Sequence, residues 1–379
     1  MSECLSRILF PFDTASFLKH YQTREYFHVG RNSPEHYKDL LSVADLDRLL
    51  QSEHLPAAYL NVVRDGTRYP LEAWSRIESS ARGSACVAIP EKLFNLYSEG
   101  ATLILNQADH AIPSLNSTCR ALAVELGFPT HANVYITPRG AAGFAQHRDD
   151  HDVLIVQIAG SKRWLLHKQN APVVELDLKA GDLLYLPRGL SHSARTQAGD
   201  SIHVTLGLRP VYAFQLIDDL AAQAAVDANF QQPQPPRLAG EEAKGMFETM
   251  FLRELRNLVE RTKPSDLLAL RFQSLLENQT QGWPGRLSDL RHVHDMTLET
   301  FVCMRPGILT DISDDRKFLK VSFAGKSVTI PGFLKGALDR ILSGNTFAIH
   351  EIEGFIGGPG KIKLVSEFVK AGILEIVKI

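Results

Sequence analysis

The sequence predicts an α+β protein whose centre is a β-sandwich or β-barrel, preceded and followed by helices. Between Asn133 and Leu208, short apolar strands follow one another with only Gly- and Pro-containing breaks and no intervening helix. Before this stretch and again after Pro210, apolar residues recur at helical spacing. A chain of 379 residues, 44% of them hydrophobic, is long enough for two or three domains with at least one sizeable core.

The first 130 residues predict packing elements around this centre. Helices are predicted in ASFLKHYQ, capped by Asp13 or Thr14, and in VADLDRLLQ, capped by the Ser42–Asp45 pair. Two further helices, each ending at a glycine, are predicted in EKLFNLYSEG and PSLNSTCRALAVELG. Strands are predicted in AAYLNVVRDG and TLILNQ. None of these segments carries evident chemistry.

Six strands are predicted in the central region: NVYITP, VLIVQI, KRWLLH, VVELDL, DLLYLP and HVTLGL. A turn at Ala159-Gly160-Ser161 is predicted between the second and the third. VLIVQI and HVTLGL are apolar enough to be buried strands.

Three helices are predicted after the barrel, over about Tyr212 to Ala228, Glu241 to Arg261 and Ser265 to Glu277. The proline-rich QQPQPPRLAG between the first two predicts an exposed loop or linker. Apolar stripes along the last two helices are most simply intramolecular core, and a dimer surface is the alternative.

From about residue 291 the pattern predicts a compact final module. FLKVSF and KSVTIP flank Ala324-Gly325 as a hairpin, and the later helix and end strand give an order that resembles a winged helix. The predicted recognition helix carries Lys361, Lys363 and Lys370 against Glu367. Because this basic face is thin, protein docking or structural support is favoured over nucleic-acid binding.

Composition excludes several classes of protein. With 41 basic and 43 acidic side chains, the chain has no general attraction for nucleic acid or anionic membranes. Its four cysteines are far apart and form no CxxC pair, which argues against a zinc–thiolate site and a disulfide framework. No apolar run reaches the roughly 18 residues that a membrane span needs. We therefore expect a cytoplasmic protein in a reducing compartment, without a membrane partner.

Candidate metal ligands lie at two places in the central region. Residues two apart in a strand point the same way, so His147 and Asp149 project together. Between Gly181 and His192 the chain matches the G-x5-P-x-G-x2-H motif of cupin barrels, whose turn aims the histidine into the barrel. Two histidines and a carboxylate are the ligands of non-haem Fe(II) oxygenases, although zinc, nickel or manganese could also bind.

Lys162 indicates which kind of ligand the metal site binds besides the metal. A cationic side chain inside a barrel needs an anionic partner to offset its desolvation, and a dicarboxylate such as 2-oxoglutarate supplies one. An exposed hairpin lysine is the alternative. His151 could compete as a ligand. His203 is most simply a hydrogen-bonded core histidine, with a pocket-facing histidine as the alternative, and Trp164 is most simply a core aromatic, with a substrate platform as the alternative.

At these residues the chain resembles the JmjC-type 2-oxoglutarate oxygenases, and most closely the ribosomal oxygenases with their bacterial relatives. The segment NVYITPRGAAGFAQHRDDHDVLIVQIAGSKRW is similar to that family's NVY-x-TP, H-x-D and Q-x-x-G-x-K-x-W pattern. The resemblance implies a double-stranded β-helix (cupin/JmjC jelly-roll) core with N-terminal helices over residues 1–210. It also implies a helical dimerisation segment over 211–290 and a C-terminal winged-helix-like domain over 291–379.

The resemblance implies that Fe(II) is bound by His147, Asp149 and His192, which are also the catalytic set. It places Lys162 on the distal carboxylate of 2-oxoglutarate, with Asn133 and Tyr135 lining the same pocket. A serine of the eukaryotic members falls here at Gly207, so its contact is absent or taken over by Thr205 or a water.

The residues and the resemblance together predict an Fe(II)- and 2-oxoglutarate-dependent oxygenase that uses O2 for hydroxylation. The resemblance implies that the substrate is a protein or peptide side chain. The resemblance adds that the protein is a homodimer and that a ribosomal protein is a candidate substrate. One alternative keeps the chemistry but acts on a peptide natural product, a free amino acid or RNA. Others are a non-catalytic winged-helix binding protein with a metal-binding barrel, and a cupin isomerase that needs no 2-oxoglutarate.

Overall fold

The computed structural model describes residues 4–80, 83–197, 199–279, 282–354 and 356–378. Its α-helices are α1 (Cys4–Leu9), α2 (Thr14–Thr23), α3 (Val43–Leu50), α4 (Pro90–Ser98), α5 (Pro113–Leu126), α6 (Ala213–Val226), α7 (Glu241–Arg261), α8 (Pro264–Asn278), α9 (Arg286–His292), α10 (Lys335–Ile341) and α11 (Gly358–Ala371). Its strands are β1 (Phe27–Val29), β2 (Leu60–Arg64), β3 (Thr67–Arg68), β4 (Ser75–Ser80), β5 (Gly83–Ala88), β6 (Thr102–Leu105), β7 (Thr130–Thr137), β8 (Asp152–His167), β9 (Val174–Lys179), β10 (Leu183–Leu186), β11 (Ser191–Arg195), β12 (Ser201–Leu208), β13 (Phe301–Met304), β14 (Asp311–Asp314), β15 (Phe318–Phe323), β16 (Lys326–Pro331), β17 (Phe347–Ala348) and β18 (Leu374–Lys378).

The core is a jelly roll built around one long strand, β8. The largest sheet has the order β1-β10-β8-β12-β7-β6-β2-β3, and β9 and β11 also pair with β8. The first half of β8 pairs with β10 and β12, whereas the second half pairs with β9 and β11, antiparallel in each case. One strand therefore belongs to two sheets, which face each other across the pocket described below.

The predicted turn at Ala159-Gly160-Ser161 is wrong, because β8 continues through it. Gly160 has a φ of +64°, and a Cβ at this position would lie 2.0 Å from the backbone oxygen of Asp200. Glycine is thus required both by the backbone conformation and by the close approach of the neighbouring chain. At this point the strand bends from one sheet into the other.

The helices before the barrel cover the outer face of the larger sheet. Their apolar residues, such as Phe17 and Leu122, pack with alternate residues of the strands, including Leu154, Val156 and Val204. Because side chains alternate along a strand, the intervening residues face the space between the two sheets. The barrel therefore has a dry outer core and an inner face on which polar groups can be placed.

The segment after the barrel consists of the three predicted helices, now α6, α7 and α8. In α8, Leu267 and Leu276 are buried, as an intramolecular core requires. In α7, by contrast, Leu258 is buried while Phe251, Leu252 and Leu255 are 42%, 58% and 39% exposed. Of the predicted stripe, Leu258 is buried and Phe247 partly buried, so the interpretation as intramolecular core is wrong at Phe251 and Leu255 but not along the whole helix.

The final module packs two small sheets and two helices around one core. One sheet has the order β17-β13-β18 and the other β14-β15-β16. The predicted hairpin is confirmed, since β15 and β16 pair in register around Ala324 and Gly325, which both have positive φ. Across the described ranges, none of the helices has the length and apolar character that crossing a membrane requires.

Candidate active site

His147 and His192 lie directly opposite each other on neighbouring extended segments. The backbone N–H of each donates to the carbonyl oxygen of the other, at 3.0 and 2.9 Å. His192 is held in β11, a strand that the sequence did not predict, which pairs with the second half of β8. The N–H of Gly189 donates to the carbonyl oxygen of Asp149 at 3.0 Å and so ties the turn before β11 to the third member of the group.

Hydrogen bonds to carbonyl groups define the tautomer of both histidines. The Nδ1 atom of His147 lies 2.9 Å from the carbonyl oxygen of Ala145, and that of His192 lies 2.9 Å from the carbonyl oxygen of Leu190. A carbonyl oxygen can only accept, so both Nδ1 atoms carry the proton and both Nε2 atoms keep a free lone pair. Burial also lowers the pKa of His192, which favours its neutral form.

The free Nε2 atoms converge on one carboxylate. That of His147 lies 3.7 Å from one oxygen of Asp149, and that of His192 lies 3.6 Å from the other. The three ligand atoms lie within 4.8 Å of one another. Such an arrangement can hold one divalent ion on a single face and leave positions open for other ligands.

His151 lines the same pocket but is not part of this group. Its Nδ1 atom lies 2.6 Å from a carboxylate oxygen of the neighbouring Asp150. Its ring lies 5.0 Å from that of His131, centre to centre. In the parts of the chain that the structure describes, the metal-competent cluster consists of His147, Asp149 and His192 without it.

Lys162 is buried inside the pocket with 3% of its surface exposed, so the exposed-hairpin alternative is wrong. Its Nζ atom donates to the hydroxyl oxygen of Thr137 at 3.0 Å and lies 5.9 Å from the centre of the Tyr135 ring. Burial lowers the pKa of Lys162 to about 7, because desolvation penalises the ammonium form. The described part of the chain provides no carboxylate within ion-pair distance.

Two further buried ring nitrogens belong to residues that line this pocket. His203 is 2% exposed and stacks on Tyr135 with ring centres 4.7 Å apart. Neither its Nδ1 atom nor the indole Nε1 of Trp164 has a hydrogen-bond partner among the described residues. The expectation of a hydrogen-bonded core histidine is therefore wrong. Strand parity indicates only that His203 points away from the helix-covered core that contains Val204, and not whether its ring has a hydrogen-bond partner.

The other predicted pocket residues, Asn133, Tyr135 and Thr205, also line this space. The side-chain oxygen of Asn133 accepts from the backbone N–H of Gln107 at 2.9 Å. Its amide NH2 is consequently the end available to a ligand. Burial raises the pKa of Tyr135, so its hydroxyl group stays protonated and remains a donor.

Gly207 lies where a histidine ring leaves no room for a side chain. A Cβ at this position would lie 2.2 Å from the ring of His131, on the paired strand β7. Burial holds the pKa of His131 at about 4, so this ring is neutral near pH 7. The space that a serine would need at position 207 is thus taken by His131.

This packing gives a prediction about residue 207. Gly207→Ser is expected to destabilise the fold by about 1–3 kcal/mol, the usual cost of overpacking. His131→Ala combined with Gly207→Ser should recover much of that loss, because the two side chains compete for one space. Urea unfolding of both variants, with His131→Ala as the reference, measures this recovery, and strictly additive effects would contradict it.

A buried carboxylate anchors the loop that carries His192. Asp152 is fully buried and accepts hydrogen bonds from the Arg24 guanidinium at 2.8 and 2.5 Å. It also accepts from the hydroxyl groups of Tyr185 and Tyr212, at 3.0 and 3.2 Å, and from the backbone N–H of Arg188 at 2.8 Å. Arg188 lies between Pro187 and Gly189 of the cupin motif, so Asp152 fixes the turn that presents His192.

Replacement of Asp152 should therefore cost stability. Asp152→Asn is expected to lower the free energy of unfolding by about 3 kcal/mol, because the buried end of the Arg24 pair is removed. The matched control is Asp177→Asn, which breaks a surface pair with Arg163 at 2.7 Å and should cost below about 1 kcal/mol. If both substitutions lowered the free energy of unfolding equally in urea, the buried Asp152 pair would contribute no more to stability than an exposed surface pair.

Comparison with known proteins agrees with this geometry. Residues 107–174 and 166–216 match the family model of the JmjC domain. This part of the chain is similar to the JmjC domain. These residues include the three clustered side chains and Lys162.

The chain is also similar to curated ribosomal oxygenases. The chain is 30% identical over 232 residues to the Drosophila melanogaster bifunctional lysine-specific demethylase and histidyl-hydroxylase NO66, covering 55% of this chain and 34% of that protein. It is 29% identical over 294 residues to human ribosomal oxygenase 1, covering 67% and 44% respectively. The chain thus spans between a third and a half of the length of these relatives.

Solved structures extend the likeness beyond the JmjC domain. The structure of YcfD, a ribosomal oxygenase from Escherichia coli, superposes with a TM-score of 0.54 at 15% identity, covering 97% of this chain and 98% of YcfD. A second structure of YcfD, in complex with cobalt and 2-oxoglutarate, gives a TM-score of 0.51 at 16% identity. The overall fold is therefore shared over nearly the whole chain, including the region after the barrel.

Proposed function

We propose that this protein is an Fe(II)- and 2-oxoglutarate-dependent oxygenase that hydroxylates a side chain of a protein. The observation that carries the proposal is one pocket that holds both an open set of metal ligands and a buried lysine, for which the described residues provide no acidic partner. His147, Asp149 and His192 supply the ligands, and Lys162 supplies the cation. A cupin that binds only a metal does not require a buried cation, and burying the charge of this lysine without an anionic partner costs free energy.

The metal set suits Fe(II). Both histidines are held as Nδ1–H tautomers by carbonyl groups, so their Nε2 atoms are oriented before any ion binds. Two imidazoles and one carboxylate on one face are the ligands that non-haem Fe(II) sites use. When bound, Fe(II) and 2-oxoglutarate supply the oxidising chemistry, in which O2 gives succinate, CO2 and one oxygen atom inserted into a substrate C–H bond.

The rest of the pocket suits a 2-oxoacid with a distal carboxylate. Lys162, donating also to Thr137, would pair with that carboxylate and would regain the charge that burial disfavours. Tyr135 and the amide NH2 of Asn133 would donate to the same molecule, and Trp164 and His203 would exclude water from it. These groups bind and orient the cosubstrate, whereas the substrate enters at the open mouth.

For the substrate we infer a side chain of a ribosomal protein. The support is the similarity to human ribosomal oxygenase 1 and to the histidyl-hydroxylase NO66 of Drosophila melanogaster, together with the fold shared with YcfD. Comparing intact masses of ribosomal proteins from cells with and without this gene should show a gain of one oxygen on at least one protein. Identical masses would move the substrate to another class, such as a peptide natural product or RNA.

For the region after the barrel we infer a helical dimerisation segment, residues 211–290, followed by a winged-helix-like domain, residues 291–379. The exposed apolar side chains of α7, such as Leu252 and Val259 at 58% and 53%, support a homodimer through this helix. Light scattering should give twice the chain mass. Leu252→Lys combined with Val259→Lys should give the single-chain mass, and a wild-type monomer would contradict the inference.

Anaerobic titration tests the cofactors directly. Adding Fe(II) and then 2-oxoglutarate should produce a visible metal-to-ligand charge-transfer absorption, since a chelated 2-oxoacid is required for it. The same titration with Zn(II) gives the blank. A protein that binds Fe(II) but shows no such band would disprove the 2-oxoglutarate part of the proposal and favour a cupin that uses metal alone.

A further inference from the structure

The side-chain alternation of β8 changes within the strand. In its first half, Val153 and Ile155 line the pocket, whereas the even-numbered Leu154 and Val156 pack under the N-terminal helices. In its second half the even-numbered Lys162 and Trp164 line the pocket. A regular strand would place Lys162 on the same face as Leu154, because side chains alternate with a period of two.

The change occurs at a β-bulge. On the partner strand β12, Ile202 pairs with Ala159 but the next residue, His203, pairs with Gln157, so Ile158 is left over. Ile158 and Ala159 are consecutive, yet both pack against the helix-covered core. One extra residue on β8 therefore shifts every later side chain to the opposite face, and this is what turns Lys162 inward.

The buried side chain of Gln157 closes this bulge. Gln157 has no exposed surface, and its Nε2 atom donates to the carbonyl oxygen of Ala159 at 2.8 Å and to the hydroxyl oxygen of Ser201 at 2.8 Å. The first contact is to the bulge itself, whereas Ser201 lies on the facing strand β12, as does Ile202, whose carbonyl oxygen also accepts from Nε2 at 3.4 Å. Without the amide, the partly buried carbonyl oxygen of Ala159 would lose this donor, and the loss of a hydrogen bond at such a group costs free energy.

We propose that Gln157 is a positioning residue for cosubstrate binding, whose amide holds the β8 bulge that presents Lys162 to the distal carboxylate of 2-oxoglutarate. The inference rests on the proposed function of the pocket. Gln157 acts through Lys162, and none of the hydrogen bonds of its amide NH2 reaches a metal ligand. Its loss should weaken recognition of the distal carboxylate selectively.

The test compares two ligands that differ only in that carboxylate. Anaerobic binding of 2-oxoglutarate and of 2-oxobutyrate, which lacks the distal carboxylate, is measured on the Fe(II)-loaded protein by charge-transfer absorption. The wild type should prefer 2-oxoglutarate, and Gln157→Leu should reduce this preference by at least about tenfold, as losing a charge-assisted contact does. Cobalt affinity, read from its visible absorption without any 2-oxoacid, should stay within about twofold, because ligand geometry is unchanged.

Companion variants make the result decisive. In a Lys162→Ala background, Gln157→Leu should cause no further loss of preference, because both act through one contact. Gln146→Leu is the control, since Gln146 also donates to a serine, Ser191, but away from the bulge, and it should leave the preference unchanged. Should Gln157→Leu fail to fold, Ser201→Ala removes one of the three contacts of the amide and should give a smaller shift in the same direction.

Equal weakening of both ligands by Gln157→Leu, or an unchanged preference in the folded variant, would overturn the inference and leave Gln157 a structural residue. Absence of any preference for 2-oxoglutarate in the wild type would instead overturn the role proposed for Lys162. The two failures are distinguished by the wild-type measurement alone.

Discussion

His192→Ala should abolish succinate formation and lower metal affinity by more than about 100-fold. Loss of a residue that only hydrogen-bonds to a metal ligand costs up to about 100-fold, and loss of a ligand itself should cost more. The reason is geometric. His192 supplies one of two Nε2 atoms that are already oriented by a carbonyl hydrogen bond, and its backbone pairs with that of His147. Cobalt titration followed by visible absorption measures the affinity, and mass spectrometry of succinate measures turnover.

The control for this prediction is His151→Ala. His151 lines the same pocket, but its Nδ1 atom pairs with Asp150 and it stands outside the ligand group. Cobalt affinity should change little in this variant. If His151→Ala lost the metal and His192→Ala kept it, the third ligand would have been assigned to the wrong histidine.

Lys162→Ala should raise the apparent KM for 2-oxoglutarate by about 10- to 100-fold, the value of one charge-assisted hydrogen bond. The effect should fall on KM more than on kcat, because the distal carboxylate does not change during the reaction. Lys179→Ala is the matched control. Lys179 is exposed and lies on β9, where it pairs with Ser161, the residue before Lys162. Equal effects of the two substitutions would place Lys162 outside the binding site.

The depressed pKa of Lys162 also predicts a pH dependence. With its pKa at about 7 in the empty pocket, the amine is largely neutral above that pH and must take up a proton to pair with a carboxylate. Affinity for 2-oxoglutarate should therefore fall as pH rises above about 7, by up to roughly tenfold per pH unit. Isothermal titration in buffers of different ionisation enthalpy should detect the proton uptake, which Lys162→Ala should lack.

The lowered pKa of Lys162 also predicts how the stability of the ligand-free protein depends on pH. An unfolded lysine has a pKa of about 10.4, so between about pH 7 and pH 10 the unfolded chain binds a proton that the folded chain does not. The contribution of Lys162 to stability must rise with pH across this window. Lys162→Met should remove that rise and should stabilise the ligand-free protein near pH 6, where the buried charge costs most.

Local patterns were sufficient for much of this protein. Helices α2, α3, α5, α7 and α8 lie where apolar spacing and caps predicted them. His147 and Asp149 stand two residues apart, so their common direction follows from the geometry of extended chain. The motif from Gly181 to His192 carries its own turn, and the resemblance to JmjC oxygenases rests on residues close together in sequence.

Other features depend on partners that are distant in sequence. β11 is a short polar strand that exists because the second half of β8 pairs with it. The buried position of Asp152 depends on Arg24, 128 residues earlier. The sequence favours an ordinary core histidine at position 203, and only the structure shows that its ring contacts those of Tyr135 and Trp164.

The region from Gly143 to His192 contains both features that the sequence determines and features that only the tertiary structure determines. The sequence by itself determined which side chains carry the chemistry, because spacing and residue type are local properties. Only the tertiary structure decided where Lys162 points, since its direction depends on one extra residue in β8 that β12 leaves unpaired. A strand alternates with period two until a neighbour shifts its register, and register is set by pairing across the sheet.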